Sequence, residues 1–107
     1  MEPFYMAVTK AFSAEHKTLT VDISGRFDFA SHQDFRNAYE GVAEPKSSAY
    51  VINLKDATYM DSSALGMLLL LRDHAGGDNA RITLKNANPD VRKILAISNF
   101  DKLFTIE

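Results

Sequence analysis

The chain has 107 residues, 46% of them hydrophobic, and 12 Lys+Arg against 14 Asp+Glu give a formal net charge of -2. That length fits one domain with one ordinary core, since domains cluster near roughly 100–150 residues. Zero cysteines exclude a disulfide framework, thiolate metal sites and cysteine nucleophiles, and the charge balance gives no electrostatic case for nucleic acid.

The start, Met1-Glu2-Pro3-Phe4, lacks the basic residues and apolar run of a signal peptide. Phe4 to Phe12 is apolar-rich and predicts a first strand, followed by a polar turn at Ala14-Glu15-His16-Lys17. Leu19, Val21 and Ile23 alternate with Thr18, Thr20, Asp22 and Ser24, the period-2 pattern of a half-buried strand. The two strands read as a hairpin, with Gly25 ending the second. Ser31 followed by Asp34 reads as an N-capping box. Phe35, Ala38, Tyr39 and Val42 then mark one face of a helix, with Pro45 beyond its end.

Ala49 to Leu54 reads as a strand buried on both faces. A second helix is predicted from near Ser62 to about His74, stopped by Gly76-Gly77. Its apolar run, Ala64 to Leu71, is far below the ~20 residues that span a bilayer. Ile82 and Leu84 alternate with Arg81, Thr83 and Lys85 as a short strand. Asn88-Pro89 is a cap followed by proline at the first helical position, and Val91, Ile94 and Leu95 supply that helix's apolar stripe. Asn99 suits the left-handed residue that closes it, and Leu103 to Ile106 forms a last short strand or helix. The order β-β-α-β-α-β-α predicts an α/β fold, a mixed sheet with helices packed mainly on one face.

The most informative stretch is Asp56-Ala57-Thr58-Tyr59-Met60-Asp61-Ser62-Ser63-Ala64-Leu65-Gly66-Met67-Leu68, a strand end, a short loop and a helix start. Asp61, Ser62 and Ser63 sit where orphan N–H groups want acceptors, and any helix start prefers such residues. The functional alternative divides the labour: one serine caps while the other presents its hydroxyl outward. A phosphate at that position is favoured by the helix N-terminus. Gly66 costs the helix roughly 1 kcal/mol relative to Ala, and close approach of a neighbouring strand or a partner is its plainest use.

Met60-Asp61-Ser62-Ser63-Ala64-Leu65-Gly66, placed after Val51-Ile52-Asn53-Leu54, resembles the signature of the STAS domain of bacterial anti-sigma factor antagonists. The resemblance extends to Gly25-Arg26-Phe27-Asp28, to Asn88-Pro89-Asp90-Val91-Arg92-Lys93-Ile94-Leu95 and to Phe100-Asp101-Lys102-Leu103-Phe104. These blocks cover nearly the whole chain in the family's order. The resemblance implies a STAS fold over one domain, residues 1–107, with Ser62 as phosphoacceptor. It implies a serine kinase that is itself an anti-sigma factor, and a PP2C-like phosphatase that reverses the modification. Unphosphorylated antagonist binds the anti-sigma factor and frees the sigma factor; phosphorylated antagonist lets go. The partner surface it implies comprises Asp28, Asp61, Ser62, Ser63, Ala64, Leu65 and Gly66. Ala64 stands where Gly is frequent, and Asn99-Phe100 where Gly-Leu is frequent; neither change removes the acceptor hydroxyl.

Other chemistries find less support. No G-x-S-x-G elbow surrounds Ser62, so a serine hydrolase lacks its frame. His16, His32 and His74 are scattered without ligand spacing, Gly76-Gly77 lacks the P-loop Lys-Ser/Thr, and Arg92-Lys93 is too small a basic patch for nucleic acid. Leu68 to Leu71 reads as a stretch buried against the sheet, with a partner surface as the alternative, and either Phe27 or Phe29, if exposed, would make a contact anchor beside Asp28. The expectation is therefore a monomeric cytoplasmic binding switch, not an enzyme, with no cofactor, metal, nucleic acid or membrane partner. The alternatives are a non-switching STAS scaffold or ligand-sensing module, and a regulator of another signalling output protein.

Overall fold

A computed structural model describes residues 7–107. Five strands form one sheet in the order β1 (Ala7–Ser13), β2 (Thr18–Phe27), β3 (Ala49–Met60), β4 (Arg81–Lys85) and β5 (Thr105–Ile106). β1 and β2 are the antiparallel hairpin; β2, β3, β4 and β5 are mutually parallel. The predicted start of β1 at Phe4 lies outside the described residues. The three parallel connections carry α1 (His32–Glu40), α2 (Ser62–His74) and α3 (Pro89–Ile97). Each connection steps to the next strand in the same direction, so crossovers of one hand deliver every helix to one face.

That face holds the core. Leu19, Val21 and Ile23 of β2, Tyr50, Ile52 and Leu54 of β3, and Ile82 and Leu84 of β4 are all buried. They pack in one cluster with Phe35, Ala38 and Tyr39 of α1, Ala64, Met67, Leu68 and Leu71 of α2, and Val91 and Leu95 of α3. The opposite face is polar and open, carrying Thr20, Asp22, Asn53, Thr83 and Lys85. β3 is thus half-buried rather than buried on both faces, because among the described residues no helix covers the side of Val51 and Asn53, both only partly buried. Among the described residues no helix is long and apolar enough to cross a membrane.

Local chemistry explains the boundaries. Asn88 adopts an extended backbone and accepts from the Val91 amide at 2.8 Å, with Pro89 at the first helical position of α3. Asn99 is left-handed at φ 60°, and a short 3-10 turn, Phe100–Lys102, leads into β5. α2 ends at His74, where Gly76 at φ 116° takes a conformation that side chains disfavour.

Two expectations are corrected. Gly25 does not end β2: at φ 80° it bends the strand, which continues to Phe27 with a register shift between Gly25 and Arg26. Ser31 does not cap α1 with its side chain; its hydroxyl donates instead to the Arg26 carbonyl at 3.3 Å. The helical turn there begins earlier, at Asp28, whose carboxylate accepts from the Ala30 amide at 3.1 Å.

β3 also runs six residues past the predicted strand. Its outer half pairs with Ser24 to Phe27 of β2, whereas β4 pairs only with Ala49 to Asn53. A two-stranded ribbon therefore projects beyond β4. It ends where Phe27 faces Met60.

Candidate functional site

The register at the ribbon's tip assembles the site. Phe27 pairs with Met60, so Asp28 and Asp61 are each the first residue beyond a paired strand end. Both have extended backbones, and both carboxylates cap a helical turn. Asp61 Oδ1 accepts from the Ala64 amide at 3.1 Å and from the Ser63 hydroxyl at 2.7 Å. Burial pushes the Asp61 pKa up, but the Ser63 hydroxyl, the Ala64 and Ser63 amides and the Arg26 charge outweigh it. The carboxyl is held below the ordinary aspartate value. Asp61 is accordingly a carboxylate at neutral pH, with its capping geometry fixed.

This leaves the two serines in different situations. Ser63 is half-buried and committed to Asp61. Ser62 is exposed at the first position of α2 and its hydroxyl makes no hydrogen bond to any described residue. It is chemically available beside the helix's positive end.

The other implied contact residues divide in the same way. Leu65 is partly buried, and Gly66 is exposed with nothing within 4 Å of the position a Cβ would take. Among the described residues, then, no strand packs closely on Gly66. Ala64 is the exception. Its side chain is fully buried under α2, so only its amide serves the site, and its place on the partner surface is withdrawn.

The stretch Leu68 to Leu71 also splits. Leu68 and Leu71 are fully buried, whereas Leu69 and Leu70 are 39% and 55% exposed. With Ser62, Leu65 and Gly66 they form one outward stripe along α2, at the spacing of a helix face.

Of the two phenylalanines flanking Asp28, Phe27 is buried against Phe35 at 5.1 Å. Phe29 is 68% exposed and stacks on His32, their ring centroids 5.3 Å apart. Two further residues enter the site that sequence reasoning missed as functional, Arg26 and Tyr59. They are register partners, and the Arg26 guanidinium lies 4.0 Å above the centroid of the half-exposed Tyr59 ring. Arg26 Nε also donates to Asp28 Oδ2 at 3.3 Å. A signal was present: each stands two residues before its aspartate, and strand alternation puts such residues on one side. Among the described residues no group of three His, Asp or Glu side chains is placed to hold a metal.

Known proteins share this architecture. The family model described as Mlab, STAS domain matches residues 11–105. A STAS-domain containing protein of Pseudomonas aeruginosa (strain UCBPP-PA14) is 65% identical over 102 residues, 94% of this chain and 99% of the relative. An anti-sigma factor antagonist from Mycobacterium paratuberculosis shares the fold with a TM-score of 0.80 at 19% identity, covering 98% of this chain and 87% of that one. The anti-sigma factor antagonist SpoIIAA in its unphosphorylated form gives 0.73 at 21% identity, covering 94% and 88%. SpoIIAA of Bacillus in its phosphorylated form gives 0.67 at 19%, covering 94% and 91%. On the family match, the close relative and the shared fold, this chain belongs to the STAS domain family.

Proposed function

We propose that this protein is an anti-sigma factor antagonist, a protein-binding switch controlled by phosphorylation of Ser62. The form unphosphorylated at Ser62 binds an anti-sigma factor that doubles as its serine kinase, and so releases a sigma factor. A PP2C-like phosphatase returns the phosphorylated form to the binding state. The carrying observation is the division between the serines: Ser63 is tied to Asp61 at 2.7 Å while Ser62 stands exposed and unbonded to any described residue. The fold likeness to SpoIIAA, a protein solved both unphosphorylated and phosphorylated, supports the same reading.

The mechanism is occlusion of a docking face. Leu65, Gly66, Leu69 and Leu70 give α2 an apolar outward stripe with Ser62 at its head, and Asp28 and Phe29 flank that head on the neighbouring loop. A phosphate adds a charge of about -1.5 to -2 next to Asp61. Against the formal net charge of -2, that nearly doubles the charge of the molecule and concentrates it on one spot. Burying it against a partner costs several kcal/mol in desolvation and like-charge repulsion. At about 1.4 kcal/mol per factor of ten, a cost of about 3 kcal/mol weakens binding roughly 100-fold. This role needs no catalytic group on the chain itself.

Calorimetric titration of the anti-sigma partner against wild type, Ser62→Ala, Ser62→Asp and the authentic phosphoprotein tests the mechanism. Wild type and Ser62→Ala bind alike, and the phosphoprotein and Ser62→Asp bind far more weakly. Equal affinity of all four forms removes the switch.

A further inference from the structure

A phosphoryl group on Ser62 needs a cation to hold it. We propose that, in the phosphorylated protein, Arg26 gives up its bond to Asp28 and clasps the phosphoryl group on Ser62, making it the residue that reads the modification. The inference rests on Ser62 being the phosphoacceptor and specifies how that same site is regulated.

Four observations converge on Arg26. First, its position: Arg26 pairs with Tyr59, three residues before Ser62 on the strand that leads into α2. Second, its tether: the guanidinium is stacked 4.0 Å over the Tyr59 ring, which holds the charge at the ribbon's tip without consuming its N–H donors. Third, its spare capacity: it makes a single 3.3 Å bond through Nε to Asp28, and its terminal nitrogens donate to no described residue. Fourth, its reach: the Arg26 charge already lowers the proton affinity of Asp61, the residue adjoining Ser62.

The exchange is favourable on simple grounds. Arg26 is 53% exposed and its bond to Asp28 is at the long end of the range. A phosphate offers a guanidinium two parallel charge-assisted bonds and about twice the charge of a carboxylate. Asp28 keeps its bond from the Ala30 amide after the guanidinium leaves. The capped turn therefore survives while the carboxylate beside exposed Phe29 loses its cation. Phosphorylation so alters two neighbouring loops: it adds charge at Ser62 and uncovers charge at Asp28.

The test uses full-length protein carrying phosphoserine installed at position 62 during synthesis, followed by 31P NMR over pH 4–9. The second ionisation of a phosphoserine has a pKa of about 6. Asp28 and Asp61 raise it, whereas Arg26 and the α2 N-terminus lower it. Wild type is expected to titrate at least about 0.5 pH units below Arg26→Gln, with the folded state of each verified from its amide spectrum. The Arg26 side-chain 15N resonances are expected to shift along the same titration. Coincident phosphate curves for wild type and folded Arg26→Gln, or Arg26 resonances indifferent to the phosphate, overturn the proposal. Because the phosphate is installed chemically, such a failure is separate from failure of the switch, which would appear as unchanged partner affinity.

Discussion

Asp61 caps α2 beside the proposed phosphoacceptor, and its removal has a calculable cost. Asp61→Ala deprives the Ala64 amide and the Ser63 hydroxyl of their shared acceptor, Oδ1. Ser63 is half-buried, so water replaces part of what is lost. The expected cost is then that of an ordinary N-cap, about 1 kcal/mol, rather than that of an orphaned core group. With a urea slope of about 1–1.5 kcal/mol/M for a chain of this size, the unfolding midpoint falls by roughly 0.7–1 M. Asp61→Asn keeps an acceptor in the same place and loses only the charge at the helix start, costing about 0.5 kcal/mol or less.

The pH dependence has a definite sign. The folded-state pKa of Asp61 lies below the ordinary value, so ionised Asp61 contributes stability that is fully present above about pH 4. That contribution is lost as pH falls through the depressed folded value. Urea unfolding of wild type and Asp61→Asn at pH 7 and again near pH 3 reads it directly. The gap between them is expected to narrow in acid. If Asp61→Asn is as unstable as Asp61→Ala at pH 7, or if the gap widens in acid, the capping and charge assignments are refuted.

Gly66→Ala separates folding from docking. Its Cβ meets nothing within 4 Å, so the helix gains up to about 1 kcal/mol, while a partner packed on α2 meets a new methyl group; higher thermal stability with weaker partner binding is expected. A partner affinity unchanged by Gly66→Ala would place the docking face elsewhere. Leu68→Ala acts on the opposite side of the same helix. Leu68 is fully buried in the core cluster, so the loss is about 2–5 kcal/mol by urea unfolding, a large share of the 5–15 kcal/mol typical of a domain. A loss under about 1 kcal/mol would contradict the packing described.

What the sequence made legible was local. α2 spans Ser62 to His74 as its cap and the Gly76-Gly77 stop indicate, and Asn88-Pro89 opens α3, because caps and stops are decided within four residues. The misreadings came where distant groups compete. Ser31 looks like a cap by spacing, but the Arg26 carbonyl claims its hydroxyl. The outer half of β3 was hidden because Lys55, Asp56, Thr58 and Tyr59 are exposed and break the apolar pattern, and only pairing with β2 holds them extended. The site depends on the same pairing. The family resemblance groups Asp28 with Asp61, but only the register of Phe27 on Met60 brings Arg26 and Tyr59 to the same tip. Leu68 to Leu71 shows the converse limit, since a uniform run of leucines conceals that the end pair faces the core and the middle pair solvent.

Ser62 is proposed as the residue the cell modifies. Intact-mass measurement of the protein isolated from its native cell, followed by peptide mapping of the modified fraction, addresses it directly. An added phosphate localised to Ser62, removable by phosphatase and absent from Ser62→Ala, is the expected result. Phosphate mapped only to Ser63, whose hydroxyl is bonded to Asp61, would contradict it.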